Sequence, residues 1–182
     1  KDIYPDLFAE VPEDPSRLMV FPAFTTLGPP EFVEDACGVI AGLYLDTDRG
    51  EILRGIIEGV NYLLYEGVQH LPEVDINVSS FIPVGGGSKS DVWIQIAADV
   101  FGVPFTRPEI TEAGALGAAI LAGVGTGVFA SHGEAVSKMV RIDTAFEPDM
   151  KKHAIYRELF QRYTKLWPLT KDYLKEIARP VR

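Results

Sequence analysis

Residues 84–95 read VGGGSKSDVWIQ. Three glycines follow an apolar run, and a pattern with helical spacing follows the glycines. Backbone without side chains at the end of a strand lets an anion or a flat ring approach peptide N–H groups closely. Spacing separates the uses of such a loop. A dinucleotide fingerprint is G-x-G-x-x-G with an acidic residue about 20 positions on. Here Gly85-Gly86-Gly87-Ser88-Lys89-Ser90 gives G-x-G-x-x-S, with Glu109 alone standing for the acid. A Walker-type phosphate loop needs glycine directly before Lys-Ser. Ser88 precedes Lys89-Ser90 instead, and Val84 stands where the first glycine belongs. A plain turn needs positive φ at a single glycine, and three in a row cost more chain entropy than that. The remaining reading is a bare surface against which a flat ligand lies, with the Ser90 hydroxyl at a helix start.

Other residues capable of chemistry offer less. His70, His132 and His153 are far apart and lack metal-ligand spacing, so they read as surface or helix-end residues. Asp46 and Asp48 could be paired carboxylates, but Asp48 stands three residues before Glu51 and reads better as a cap. Trp93 and Trp167 read as packing anchors. No catalytic residue and no metal ligand is assigned.

The elements that must position the glycine loop follow from periodicity. Residues 1–17 are polar and proline-rich and read as an irregular lead-in; residues 18–24 form a short strand ending at Pro22, and 25–32 a loop. Residues 39–45 are a second apolar run. From Asp48, the residues Ile52, Leu53, Ile56, Ile57, Val60, Leu63, Leu64 and Val68 recur at helical spacing, with Arg54, Glu58 and Asn61 on the opposite, polar side. Residues 76–84 read as a strand. Ser90 caps a helix over 91–101 that Gly102 closes. Residues 103–106 are a short strand, and Thr111 caps a small-residue helix from Glu112 to about Gly123. The tail, 148–177, is helical with a break at Pro168. Strand and helix alternate over 76–123, which argues for an α/β fold.

Composition sets limits. A net charge of −9 over 182 residues argues against a nucleic-acid partner. Cys37 is the sole cysteine, which suits a reducing, cytoplasmic compartment. Residues 113–130 carry no charge, but Gly114, Gly117, Gly123, Gly125 and Gly127 interrupt them and alanines fill much of the rest, so no membrane span is expected.

Two ordered segments then resemble a known family. GGGSKSDVWIQIAADVFGVPF, followed by TEAGALGAAILAGVGTGVF, resembles the C-terminal nucleotide-binding domain of the FGGY carbohydrate kinases, and GVIAGLYLDTDRGEILRGIIEG resembles that family's signature. Gly38, Ile40, Gly42, Leu43, Glu51, Ile52, Ile56, Ile57 and Glu58 fit the signature; Gly55 departs from it, where the family has Ala or Ser. The resemblance covers roughly residues 18–175. It implies an actin-like, ribonuclease H-like ATPase domain, the C-terminal half of a two-domain sugar kinase using ATP and Mg. It places Gly86 and Gly87, with Gly85, against adenine and ribose and Ser90 at the adenine edge. It makes the helix from Ala113 a hinge whose small residues, Gly114, Gly117, Ala118 and Gly123, permit close contact with the other domain. The alternative for that helix is a buried core element.

The resemblance also implies that the sugar pocket and catalytic aspartate belong to an N-terminal domain, so that this chain alone is expected to be inactive. Residues 21–32, FPAFTTLGPPEF, depart from the Gly-Glu-Arg-x-Pro segment of many xylulose kinases, although the chain looks nearest to xylulose-kinase-like members. The expected division is a lead-in at 1–17, the nucleotide domain at 18–146 and a helical extension at 147–182. A homodimer is among the expected partners, and a non-catalytic nucleotide-binding or assembly module of the actin-like superfamily and a dinucleotide-binding oxidoreductase fragment stand as alternative functions.

Overall fold

The computed structural model describes residues 3–25 and 37–178. The loop expected at 25–32 therefore lies almost wholly outside the described residues. In chain order the elements are α1 (Tyr4–Phe8), β1 (Met19–Phe21), β2 (Val39–Ala41), α2 (Arg49–Val68), α3 (Asp91–Phe101), β3 (Phe105–Pro108), α4 (Ala113–Gly125), α5 (His132–Met139), β4 (Ile142–Phe146), α6 (Met150–Tyr163) and α7 (Leu166–Ala178), with short 3-10 turns at Leu71–Val74 and Gly86–Lys89. β1 pairs antiparallel with β2, and β3 antiparallel with β4. The core lies where α2, α3, α6 and β1 meet: Phe21, Ile57, Tyr62, Ile94, Ala98, Phe101, Tyr156 and Tyr163 are all buried there.

Helix α2 begins as the sequence predicts, with the Asp48 carboxylate accepting from the Glu51 N–H. Its expected polar side is wrong. Arg54, Glu58 and Asn61 are buried at 3%, 1% and 2% exposure, while Leu64 is exposed. The reason is coverage from both flanks: the lead-in and α6 close over that side. Arg54 Nε donates to Glu58 Oε1 at 2.7 Å, Tyr156 Oη donates to the same oxygen at 2.8 Å, and the Ser16 N–H reaches both Glu58 oxygens at 3.1 Å. Arg54 also donates to the Pro12 carbonyl and, at 2.6 Å, to Tyr156 Oη. Burial pushes the Glu58 carboxyl up to about 7 against the opposing pull of Arg54 and the Ser16 N–H. A periodicity argument cannot see this, because a charged residue that finds all its partners is as buried as a leucine.

The lead-in is not irregular. α1 occupies part of it, and Phe8 meets the Trp93 ring edge-on. The Glu10 backbone carbonyl crosses α2 so closely at Gly50 that a Cβ there would collide with it, and Arg49 pairs with the Glu10 carboxylate.

Residues 76–84 do not form the expected strand. Phe81 alone makes a parallel bridge to Phe105, and Ile76, Ile82 and Val84 point outward, exposed. Pro83 has no N–H to give a ladder, and the contact with β3 stays a single bridge, with the Phe81 N–H donating to the Pro104 carbonyl and the Thr106 N–H to the Phe81 carbonyl. The strand expected at 103–106 starts two residues later. In the tail the break falls at Thr164 and Lys165. Pro168 sits in the first turn of α7, where a missing N–H costs nothing. α5 and β4 have no counterpart in the sequence reading.

Candidate functional site

Each glycine of the loop serves a different end. Gly85 adopts φ +85° and ψ −166°, a conformation closed to side-chain-bearing residues, and its N–H donates to the Thr111 carbonyl at 3.0 Å. Gly86 opens the 3-10 turn, and a Cβ built there would meet nothing within 4 Å. Gly87 lies against Trp93, whose ring would be 3.6 Å from an added Cβ. The N–H groups of Gly86 and Gly87 are at the start of the turn, where no intrahelical acceptor exists. The Ser88 hydroxyl folds back onto the Gly85 carbonyl at 2.6 Å and is buried.

Ser90 ends the turn and begins α3, as the sequence predicts. Its Oγ accepts from the Trp93 N–H at 3.2 Å, and Gly102 at φ +69° closes the helix. The residue is buried, with 8% of its surface exposed. Gly86, Gly87 and Ser90 lie in the turn that leads into the positive end of the α3 dipole, and Gly85 precedes them. Gly86, Gly87, Lys89 and Ser90 line one side of a cleft of about 820 Å³, and Tyr4, Pro5, Phe8 and Ala9 line another.

Two ionic contacts brace the turn. Arg107 Nη1 donates to Asp91 Oδ1 at 2.6 Å and to the Ser88 carbonyl at 3.4 Å, while Nη2 reaches Asp143 Oδ2 at 3.4 Å. Its guanidinium lies 5.3 Å from the Phe146 ring centre. The hydrogen bond to Asp91 raises the Arg107 pKa above its ordinary value. Lys89 pairs with Glu112 at 2.8 Å and holds that carboxyl below its usual range, tying the turn to the start of α4. Sequence reasoning missed Arg107. Its signal was an arginine on a strand that packs beside a helix beginning with aspartate.

The expected Thr111 cap is not made. Glu112 takes the N-cap position without a side-chain bond, and the Thr111 carbonyl accepts from Gly85 and Ala113 instead. Nor is α4 a core helix: Ile120 is its one buried residue, and added Cβ atoms at Gly114 and Gly117 would meet open space. Gly123 packs on the Phe129 ring.

The other flagged residues sit elsewhere. Asp46 pairs with Arg17 at 2.6 Å, His70 with Glu73, and the His153 ring nitrogen Nδ1 lies 3.0 Å from the Asp99 carbonyl oxygen. Trp167 is buried and stacks on Phe21. Among the described residues no three metal-binding side chains cluster, and no helix is long and apolar enough to cross a membrane.

Comparison with known proteins decides the family. Residues 3–126 match the C-terminal domain of the FGGY family of carbohydrate kinases. The chain belongs to that family. FGGY relatives include the xylulose kinase of Staphylococcus epidermidis, 30% identical over 140 residues, which are 77% of this chain and 28% of the relative. The solved xylulose kinase of Lactobacillus acidophilus superposes with a TM-score of 0.81 at 24% identity over 96% of this chain and 35% of its own, which shows the actin-like fold. Plasmodium falciparum glycerol kinase, solved with ADP, superposes at a TM-score of 0.71 and 25% identity over 93% of this chain and 33% of its own. The chain thus spans between 28% and 35% of the length of these FGGY relatives.

Proposed function

We propose that this chain is the nucleotide-gripping part of an ATP-dependent kinase that transfers the γ-phosphoryl group to a hydroxyl of a sugar or polyol, with a xylulose-like acceptor favoured. The observation that carries the proposal is the bare turn at Gly86 and Gly87, which opens α3 at the mouth of the 820 Å³ cleft in an FGGY domain. Gly86 and Gly87 receive the adenosine, Ser90 meets the base edge, and Gly85 supplies the bend that brings them forward. With MgATP as donor, catalysis depends on positioning and charge neutralisation. The sugar and the base that accepts its proton fall to the N-terminal domain of such kinases, and the cytoplasm is the compartment this reading assigns.

The exposed, uncharged face of α4 is the surface that such a domain would cover, and the Lys89–Glu112 pair joins it to the turn. The test is titration calorimetry of this chain with ATP and ADP in the presence of Mg, followed by incubation with MgATP and a panel of pentoses, hexoses and polyols. The expected result is saturable nucleotide binding without sugar-dependent release of ADP. Absence of nucleotide binding counts against the assigned grip, and sugar-dependent turnover against the assigned division of labour.

A further inference from the structure

The cleft in front of the glycine turn has a second wall that the family signature does not mark. It is made by α1, five residues long, too short to persist alone. Three features of the fold hold it in place: the close passage of the Glu10 carbonyl over Gly50, the Arg49–Glu10 pair, and the Ser16 N–H bound by the buried Glu58 carboxyl. So docked, α1 presents Tyr4 and Phe8 to the cleft. Their rings are stacked at 6.3 Å with 25° between planes, and Phe8 meets Trp93 at 6.3 Å and 67°. Trp93 in turn lies against Gly87. The aromatic lining therefore runs from α1 round to the glycine turn itself. Tyr4 is 63% exposed, a large ring area left toward solvent.

We infer that α1 is the base-selecting wall of the nucleotide site: a purine ring lies between the Tyr4–Phe8 face and the Gly86–Gly87 backbone. This rests on the nucleotide reading above and adds to it a specificity element. The chemistry favours a base over a phosphate or a sugar on this side. Tyr4, Pro5, Phe8 and Ala9 contribute aromatic and apolar atoms and no cation, whereas aromatic faces reward flat π-systems. The bicyclic purine covers more ring area than a pyrimidine, so the wall discriminates by size of the π-surface. On the opposite side, bare backbone lets the ring come close without displacing a side chain.

The experiment measures affinities of ATP, GTP, CTP and UTP for the full chain by titration calorimetry, in the natural sequence and in Tyr4→Ala, Tyr4→Phe and Gly86→Val. Tyr4 is exposed and an added Cβ at Gly86 meets nothing within 4 Å, so the three variants are expected to keep the fold, which thermal melts check. The wall predicts that the two purine nucleotides bind more tightly than the pyrimidines. It predicts that Tyr4→Ala weakens ATP roughly fivefold or more and removes the preference, while Tyr4→Phe retains it. If Gly86→Val abolishes binding but Tyr4→Ala leaves ATP affinity and preference unchanged, α1 is not the wall although the glycine turn is the site. If none of the four nucleotides binds the natural sequence, the nucleotide reading falls and the wall with it.

Discussion

Replacing Arg54 by methionine tests the least expected feature of the fold. Arg54 and Glu58 have side chains 3% and 1% exposed, and Arg54 makes three hydrogen bonds, to Glu58, to Tyr156 and to the Pro12 carbonyl. Methionine fills most of the volume but leaves Glu58 buried with the Ser16 N–H and Tyr156 alone. Breaking a buried pair from one side costs about 3–5 kcal/mol when the remaining charge stays ionised. For a domain of this length each kcal/mol is worth about 2–4 °C in Tm, so at pH 8 Arg54→Met should lower Tm by roughly 6–20 °C.

The pH dependence fixes the cause. Glu58 is raised from its ordinary value of 4.5 to about 7. A raised carboxyl contributes stability that is fully present below pH 4.5 and is lost as pH rises through 7. Without Arg54 the folded value climbs further, so the loss continues above pH 7 and the gap between natural and variant chains widens. At pH 5 Glu58 is protonated in both, and the penalty shrinks to the lost hydrogen bonds, about 1–2 kcal/mol. Thermal melts at pH 5 and pH 8 followed by circular dichroism measure this. A pH-independent Tm difference, or one below about 4 °C at pH 8, refutes the reasoning, as does a double variant Arg54→Met/Glu58→Leu no more stable than Arg54→Met.

Three further outcomes are expected. Gly86→Val meets open space in the free chain, so Tm should hold while ATP affinity falls at least about tenfold, or 1.4 kcal/mol, by calorimetry; unchanged affinity in the folded variant would place the nucleotide elsewhere. A Cβ at Gly59 would collide with the Val20 carbonyl, whereas one at Gly67 meets nothing. Gly59→Ala should therefore cost more than about 2 kcal/mol in urea unfolding, and Gly67→Ala should be neutral or stabilise by up to about 1 kcal/mol. Arg107→Met removes the brace between Ser88, Asp91 and Asp143. ATP affinity should drop several-fold, more than with Glu134→Gln, whose partner Lys138 is remote from the turn, and equal effects would deny Arg107 a positioning role.

Much of the local structure around the candidate site was legible because local rules decide it. Ser90 as cap and Gly102 as stop are choices made by a few adjacent residues, and the structure reproduces them. The signature segments carried the fold, since their spacing matches a family whose solved members superpose on the chain. What failed depended on partners distant in sequence. Arg54, Glu58 and Asn61 read as a wet face because nothing local shows residues 12–16 and α6 closing over them. Residues 76–84 read as a strand from their apolar content, but the pairing with β3 is held to a single bridge at Phe81, two residues before Pro83, which has no N–H to donate. α1 was hidden in a polar, proline-rich stretch too short for a periodic signal, although Pro5 in its first turn is a starting mark. Thr111 read as a cap by residue type, yet the helix begins one residue later and Glu112 takes the N-cap position.

The central claim, that the bare turn before α3 grips the nucleotide, is tested most directly by adding ADP and Mg to the isotopically labelled chain and following backbone amide resonances. The account predicts the largest shifts at Gly86, Gly87 and Ser90, with Trp93 following, and smaller effects at α5 and α7. Saturable binding that moves resonances far from residues 85–93 while leaving that turn unshifted would contradict it.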